Sequence, residues 1–148
     1  MRVTDSALPD ADHVVRYARF IDILDDGTLN CSAFQLRKTE SGLSVNWLEC
    51  FGDKTKSQQL DEVRRLTRLT MKRSGRLAEL NVGITRKNVG RLLEELRFIH
   101  MPLDADENFE ADPSHSEIVG LPPKDSPEAD MIGDLIAKYV IEIHPAVV

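Results

Sequence analysis

The sequence predicts a single α+β domain: a mixed, mostly antiparallel sheet of about five strands with three helices packed on it. Three observations lead there. Short segments rich in β-branched and aromatic residues alternate with segments whose apolar period is near 3.6. Glycine-bearing turns separate the early segments at spacings that suit antiparallel pairing. And 148 residues, 41% of them hydrophobic, are enough for one core without disulfides or a structural metal.

Residues 1–12 are polar, contain Pro9, and read as a flexible leader ahead of a domain spanning 13–148. His13 to Phe20 alternates as a strand, with His13, Val15, Tyr17 and Arg19 on one face. Asp25-Asp26-Gly27 then turns the chain into an expected second strand, Leu29 to Arg37. The loop Lys38 to Gly42 would close a hairpin onto a third strand, Leu43 to Leu48, with Trp47 buried between sheet and helix.

From Gln58 the period changes and predicts a helix running to Ser74-Gly75. Its inward stripe is Leu60, Val63, Leu66, Thr67 and Thr70, and Arg64, Arg68 and Lys72 form a basic face at four-residue spacing. Arg76 to Val82 reads as a strand. Thr85 is the expected N-cap of a second helix with Val89, Leu92, Leu93 and Leu96 inward. Phe98 to Met101 is a short strand stopped by Pro102. Residues 103–125 hold three prolines and most of an acidic block, without sustained period, and read as a long acidic loop. Ser126-Pro127-Glu128 opens a third helix with Ile132, Leu135, Ile136, Tyr139 and Val140 inward, and Pro145 bars its continuation.

Charge is segregated along the chain. Residues 1–52 carry 5 basic and 8 acidic side chains, residues 53–97 carry 12 and 6, and residues 98–148 carry 2 and 11, for a net charge of -6. Such blocks suit either an oppositely charged partner or each other. With no complete catalytic motif, they point first to a small protein-binding or adaptor subunit of a larger assembly. Its contacts would be the basic residues Arg64, Arg68 and Lys72 and the acidic residues Asp104, Asp106, Glu107 and Glu110. Nucleic-acid binding through the basic helix is a lesser alternative, because the sequence pI near 5.2 lacks the usual basic footprint.

Cys31 and Cys50 form no CxxC pair, and reduced thiols in a cytoplasmic protein are expected. No apolar run is long enough for a membrane span. The four histidines show no metal-ligand spacing, and neither GxxxxGK[ST] nor GxGxxG occurs, so no metal and no cofactor is expected.

The candidate catalytic residues are Arg16, Ser44, Asn46, His100, His115 and Glu117. Arg16, Ser44 and Asn46 fall on strands that can neighbour one another. His100 and His115 could form an acid/base pair, with Asp112 or Glu117 orienting an imidazole. Arg16 or His13 on an early strand, Ser44 on a later one and Glu117 further on are together similar to ADP-ribosyltransferase-like folds. Ser44-Val45-Asn46 stands here in place of that family's Ser-Thr-Ser, and Ser116-Glu117 in place of its paired acidic motif. The resemblance implies an enzyme with a site for a nicotinamide dinucleotide.

Overall fold

The computed structural model describes residues 6–148. Among them the order is β1 (His13–Ala18), β2 (Gly42–Trp47), α1 (Lys56–Leu66), β3 (Arg76–Asn81), α2 (Val82–Val89), β4 (Arg97–His100), β5 (His115–Val119), α3 (Pro127–Lys138) and β6 (Glu142–Pro145). The strands form one sheet in the order β4-β5-β2-β1-β3-β6, every neighbouring pair antiparallel. This is the expected α+β domain with one strand more than expected.

Cross-strand partners share a face, which fixes what each side of the sheet carries. On one side Val14, Ala18, Leu43, Val45, Ala78, Leu80, Phe98 and Ile118 are buried beneath α2, α3 and a 3-10 turn at Cys31–Phe34. On the other, Val15 and Leu77 pack with Leu60 and Val63 of α1. α1 covers that second face over β1 and β3. Over β2 and β5 the same face carries Ser44, Asn46 and His115, which line a cleft.

The strand expected over Leu29 to Arg37 is instead the 3-10 turn, and no hairpin forms. The Asn30 side chain accepts the Cys31 amide at 2.8 Å, a local bond that competes with a strand ladder. Ala33 and Phe34 anchor the turn in the core, and it docks on α3 at Gly133. β1 therefore pairs with β2 directly, but only at Val14 with Trp47 and Val15 with Asn46, while it pairs with β3 along its whole length.

Helix α1 opens with a capping box, Thr55 accepting the Gln58 amide and Gln58 accepting that of Thr55. It ends at Leu66, two turns before the expected stop. Thr67 Oγ1 takes the Leu69 amide and Tyr17 Oη the Lys72 amide, so these donors leave the helical ladder. Arg68 and Lys72 thus lie beyond the helix, and the expected basic face does not form. The cap of α2 is Asn81, which accepts the Ile84 amide, and not Thr85, which is fully buried inside the helix. α2 stops at Val89, leaving Leu92 exposed, while Leu93 and Leu96 reach the core from the following turns.

The expected acidic loop contains β5, an interior strand of the sheet. Its inward side is Ser116 and Ile118, too little apolar content to announce a strand, and Ser116 Oγ is satisfied by the Ser114 carbonyl at 3.1 Å. Ser126 caps α3 as expected, accepting the Ala129 amide. β6 follows it as an edge strand that tolerates Pro145. Of the expected leader, residues 1–5 lie outside the described residues, and 6–12, though partly exposed, make specific contacts with the rest of the domain. Ala7 bridges Ile99, Leu8 is buried, and Asp12 accepts the Trp47 indole N–H at 2.8 Å. Trp47 itself is half-buried, against the expectation of a core residue. Both cysteines are free thiols. No helix among the described residues is long and apolar enough to cross a membrane.

Candidate functional site

The cleft has a volume of about 730 Å³ and lies where β1 and β2 part. Beyond Val15 and Asn46 the two strands make no ladder, and Arg16 fills the opening. Its Nε donates to the Ala33 carbonyl at 3.0 Å and its Nη1 to the Ser44 carbonyl at 2.9 Å. No carboxylate lies within 4.0 Å of this guanidinium among the described residues. Burial pushes its pKa down to about 10, against a partly offsetting attraction from Glu40. At neutral pH it remains a cation, held in place by two carbonyls and short of countercharge.

Ser44, Asn46 and His115 meet on the floor. His115 lies opposite Asn46 in the ladder, and Ser44 opposite Glu117. The His115 Nδ1 is 2.7 Å from the Met101 carbonyl and its Nε2 is 3.3 Å from Ser44 Oγ. A carbonyl only accepts, so Nδ1 carries the proton, and a neutral ring turns the Nε2 lone pair toward the serine hydroxyl. Asp112 is buried and does not orient an imidazole. It accepts the Ser114 amide and hydroxyl, and also Asn46 Nδ2, which locks the floor of the cleft. The chain Asp112-Pro113-Ser114 carries the sequence signal for such an Asx-type turn.

Apart from Arg68 and Lys72, which were expected on a basic helix face, the residues of the cleft walls were not among the expected site residues. Tyr17, Leu69, Met71 and Leu77 supply apolar surface, and Arg37, Glu40 and Lys72 supply charge. Arg37 and Lys72 have no ion pair within 4.0 Å among the described residues. At 70% and 49% exposure, Phe20 and Leu69 are lining residues that stay open to solvent. Periodicity identifies buried faces, and apart from Tyr17 of β1 and Leu77 of β3 these residues sit outside the regular strands and α-helices and are brought together by the tertiary fold.

Two candidate catalytic residues are not among those that line the cleft. His100 faces the opposite side of the sheet, its ring edge-on to Trp47 at 5.1 Å and its Nε2 2.7 Å from the Pro113 carbonyl, so it forms no acid/base pair with His115. The Glu117 side chain lies over Gly42, where a Cβ would collide with its Oε1, and it is not part of the cleft lining. His13 is held by Glu49 through both its amide and its ring. Arg16 thus touches Ser44 only through the serine's backbone carbonyl, and Glu117, although opposite Ser44 in the ladder, is not among the residues that line the cleft.

The charged blocks meet within the chain. Arg65 pairs with Glu62 and Glu110, and Arg68 Nη2 donates to the Asp104 and Glu110 carbonyls. Arg68 also lies 3.8 Å from Asp106 and stacks on Phe109, 5.3 Å from the ring centroid. Arg64 reaches Asp61 and the Pro145 carbonyl, Lys72 lines the cleft, and Glu107 is exposed. The charge segregation therefore has an internal use, which is to fasten the loop after β4 to the segment after α1.

Glu79, Glu142 and His144 bring three potential metal ligands within 4.8 Å of one another. Both Glu79 oxygens are already engaged there, one by His144 and one by Lys56, and the nearby ammonium opposes a cation. Cysteine chemistry is also disfavoured. Burial, with the charges of Asp112 and Glu49, pushes the Cys50 thiol up to about 12, and burial with Asp134 and Asp130 raises that of Cys31. Comparison of the chain with protein-family models, with curated proteins and with solved structures finds no match.

Proposed function

We propose that this chain binds a small anionic molecule with an apolar body in the cleft beside β2. The carrying observation is Arg16, a largely buried guanidinium anchored by two backbone carbonyls, with no carboxylate within 4.0 Å among the described residues. Keeping such a cation out of water is costly, and a bound anion offsets that cost. Arg37 and Lys72 add positive charge, and Tyr17, Leu69, Met71 and Leu77 offer the apolar contact that gives affinity. The volume falls in the range of roughly 300–1,000 Å³ common to small-molecule sites.

The test uses 8-anilinonaphthalene-1-sulfonate, an anionic aromatic dye that brightens in apolar sites. The expected result is one saturable site on the natively folded protein, with affinity reduced roughly tenfold or more in Arg16→Gln, as suits loss of a charge-assisted contact. Unchanged affinity in that variant, with its near-UV circular dichroism intact, would overturn the reading.

A further inference from the structure

We infer that Ser44 and His115 form a nucleophile and general base that cleave an ester whose acyl or alcohol part carries the anionic group. This rests on the cleft reading and extends it from binding to chemistry.

A serine hydroxyl is a weak nucleophile until a base takes its proton, and the base must itself be held in the right tautomer. Both conditions are met. The Met101 carbonyl, 2.7 Å from His115 Nδ1, places the ring proton on that nitrogen, which leaves Nε2 to accept from Ser44 Oγ at 3.3 Å. The arrangement has the three parts of a catalytic triad, with a backbone carbonyl in place of the orienting carboxylate. A distance of this size is within the looser range seen before substrate is bound.

The surroundings serve the same step. Ser44 and His115 both line the cleft, so a bound acyl carbon can reach the hydroxyl. Arg16 is fixed on the Ser44 carbonyl, and its Nη2 has no hydrogen-bond partner among the described residues. Arg16 lines the same cleft, and this donor is available to an oxygen on which negative charge develops there. Arg37 and Lys72 line the same cleft and, with Arg16, supply positive charge for the permanent anionic group.

In the first half-reaction Ser44 Oγ bonds to the acyl carbon and its proton passes to His115 Nε2. The tetrahedral adduct collapses by breaking the bond to the alcohol oxygen, which takes that proton. In the second half, water attacks the acyl carbon, gives its proton to Nε2, and the Ser44 Oγ–acyl bond breaks as Oγ recovers the proton. One ester and one water become one alcohol and one carboxylic acid.

The experiment incubates the intact chain with a fluorophosphonate, whose P–F bond breaks as Oγ bonds to phosphorus, and maps the adduct by peptide mass spectrometry. Hydrolysis of 4-nitrophenyl succinate, an anionic ester, is followed in parallel. The expected result is one adduct, on Ser44, with its rate and the turnover of the ester reduced roughly 100-fold or more in His115→Gln and abolished in Ser44→Ala. Adduct on another residue, or an unchanged rate in His115→Gln, overturns the assignment. Saturable dye binding by the unmodified chain with no adduct and no turnover removes the chemistry and leaves the binding site standing. Absence of dye binding removes the cleft reading itself.

Discussion

His144 Nε2 lies 2.8 Å from the Glu79 carboxylate beneath the edge strand β6, with Glu79 only 1% exposed and its second oxygen held by Lys56. Burial alone would raise this carboxyl, but the hydrogen bonds from Lys56 and His144 outweigh it and hold it below the ordinary value of 4.5. Its folded-state pKa is depressed, so the stabilisation is complete above the unfolded value and is lost as pH falls through the folded one. Glu79→Gln should cost about 2 kcal/mol at neutral pH, the scale of a hydrogen-bonded charged group. In urea unfolding the gap between variant and parent should be full above pH 4.5 and shrink below it. A gap that persists undiminished into strong acid would mean that packing, not charge, is what Glu79 provides.

Arg68 fastens the loop after β4, through two backbone carbonyls and the Phe109 ring. Its contacts are near the surface, where ion pairs add little to global stability. Arg68→Ala should therefore change the unfolding free energy by less than about 1 kcal/mol. Amide exchange over 103–112 should nevertheless accelerate, because the contacts that close the loop are gone. Exchange unchanged there would show that the Leu103–Asp112 bridge holds the loop without Arg68.

How much of this was legible in the sequence depended on whether a feature was local. β1, β3 and the Ser126 cap of α3 follow from alternation and capping chemistry, which act within a few residues. β5 was hidden because its interior position pairs Ser116 with a backbone acceptor, so polarity and burial coincide. The pairing of Arg16, Ser44, Asn46 and His115 at one place could be suspected from their residue types. The base for Ser44 could not be assigned, because the group that orients His115 is the backbone of Met101, and a carbonyl has no side-chain signature. The opening between β1 and β2 comes from the short ladder those strands make, and this is a property of register.

Gly133 marks where α3 presses on the turn at Cys31–Phe34. A Cβ there would lie 2.5 Å from the Cys31 carbonyl oxygen, a backbone atom that cannot swing aside. Gly133→Ala gains helix propensity of about 1 kcal/mol. The clash should exceed that gain, with overpacking of this kind costing roughly 1–3 kcal/mol. The net expectation is a lowered thermal midpoint, and a raised one would show that the turn at Cys31 yields readily.

Both thiols should be sluggish nucleophiles. With the Cys50 pKa near 12, thiolate at pH 8 is on the order of one part in 10⁴. Ellman's reagent should modify native Cys50 far more slowly than the same residue in urea, and Cys50→Ala should leave dye binding and ester turnover at parent levels. Rapid native modification would place Cys50 in contact with solvent as a thiolate.

Arg16 sets stability against binding. Lowering its pKa to about 10 corresponds to roughly 3 kcal/mol of preference against the charged form. Because the folded state gives up this proton before the unfolded state does, the group's contribution to stability rises with pH above about 10, and at neutral pH it opposes folding. Two hydrogen bonds, to Ala33 and Ser44, act in the other direction. In Arg16→Gln the amide keeps a donor for one carbonyl while the desolvated charge is removed. The two effects are of similar size, each a few kcal/mol, so the unliganded variant should unfold within about 1 kcal/mol of the parent or be more stable. What it should lose is the upward shift in thermal midpoint that the anionic dye gives the parent, since that shift measures preferential binding to the folded state. A variant that is several kcal/mol less stable when unliganded would show Arg16 to be chiefly a brace between the Cys31–Phe34 turn and β2. A stable variant that no longer responds to the dye would separate the guanidinium's role in the cleft from its role in the fold.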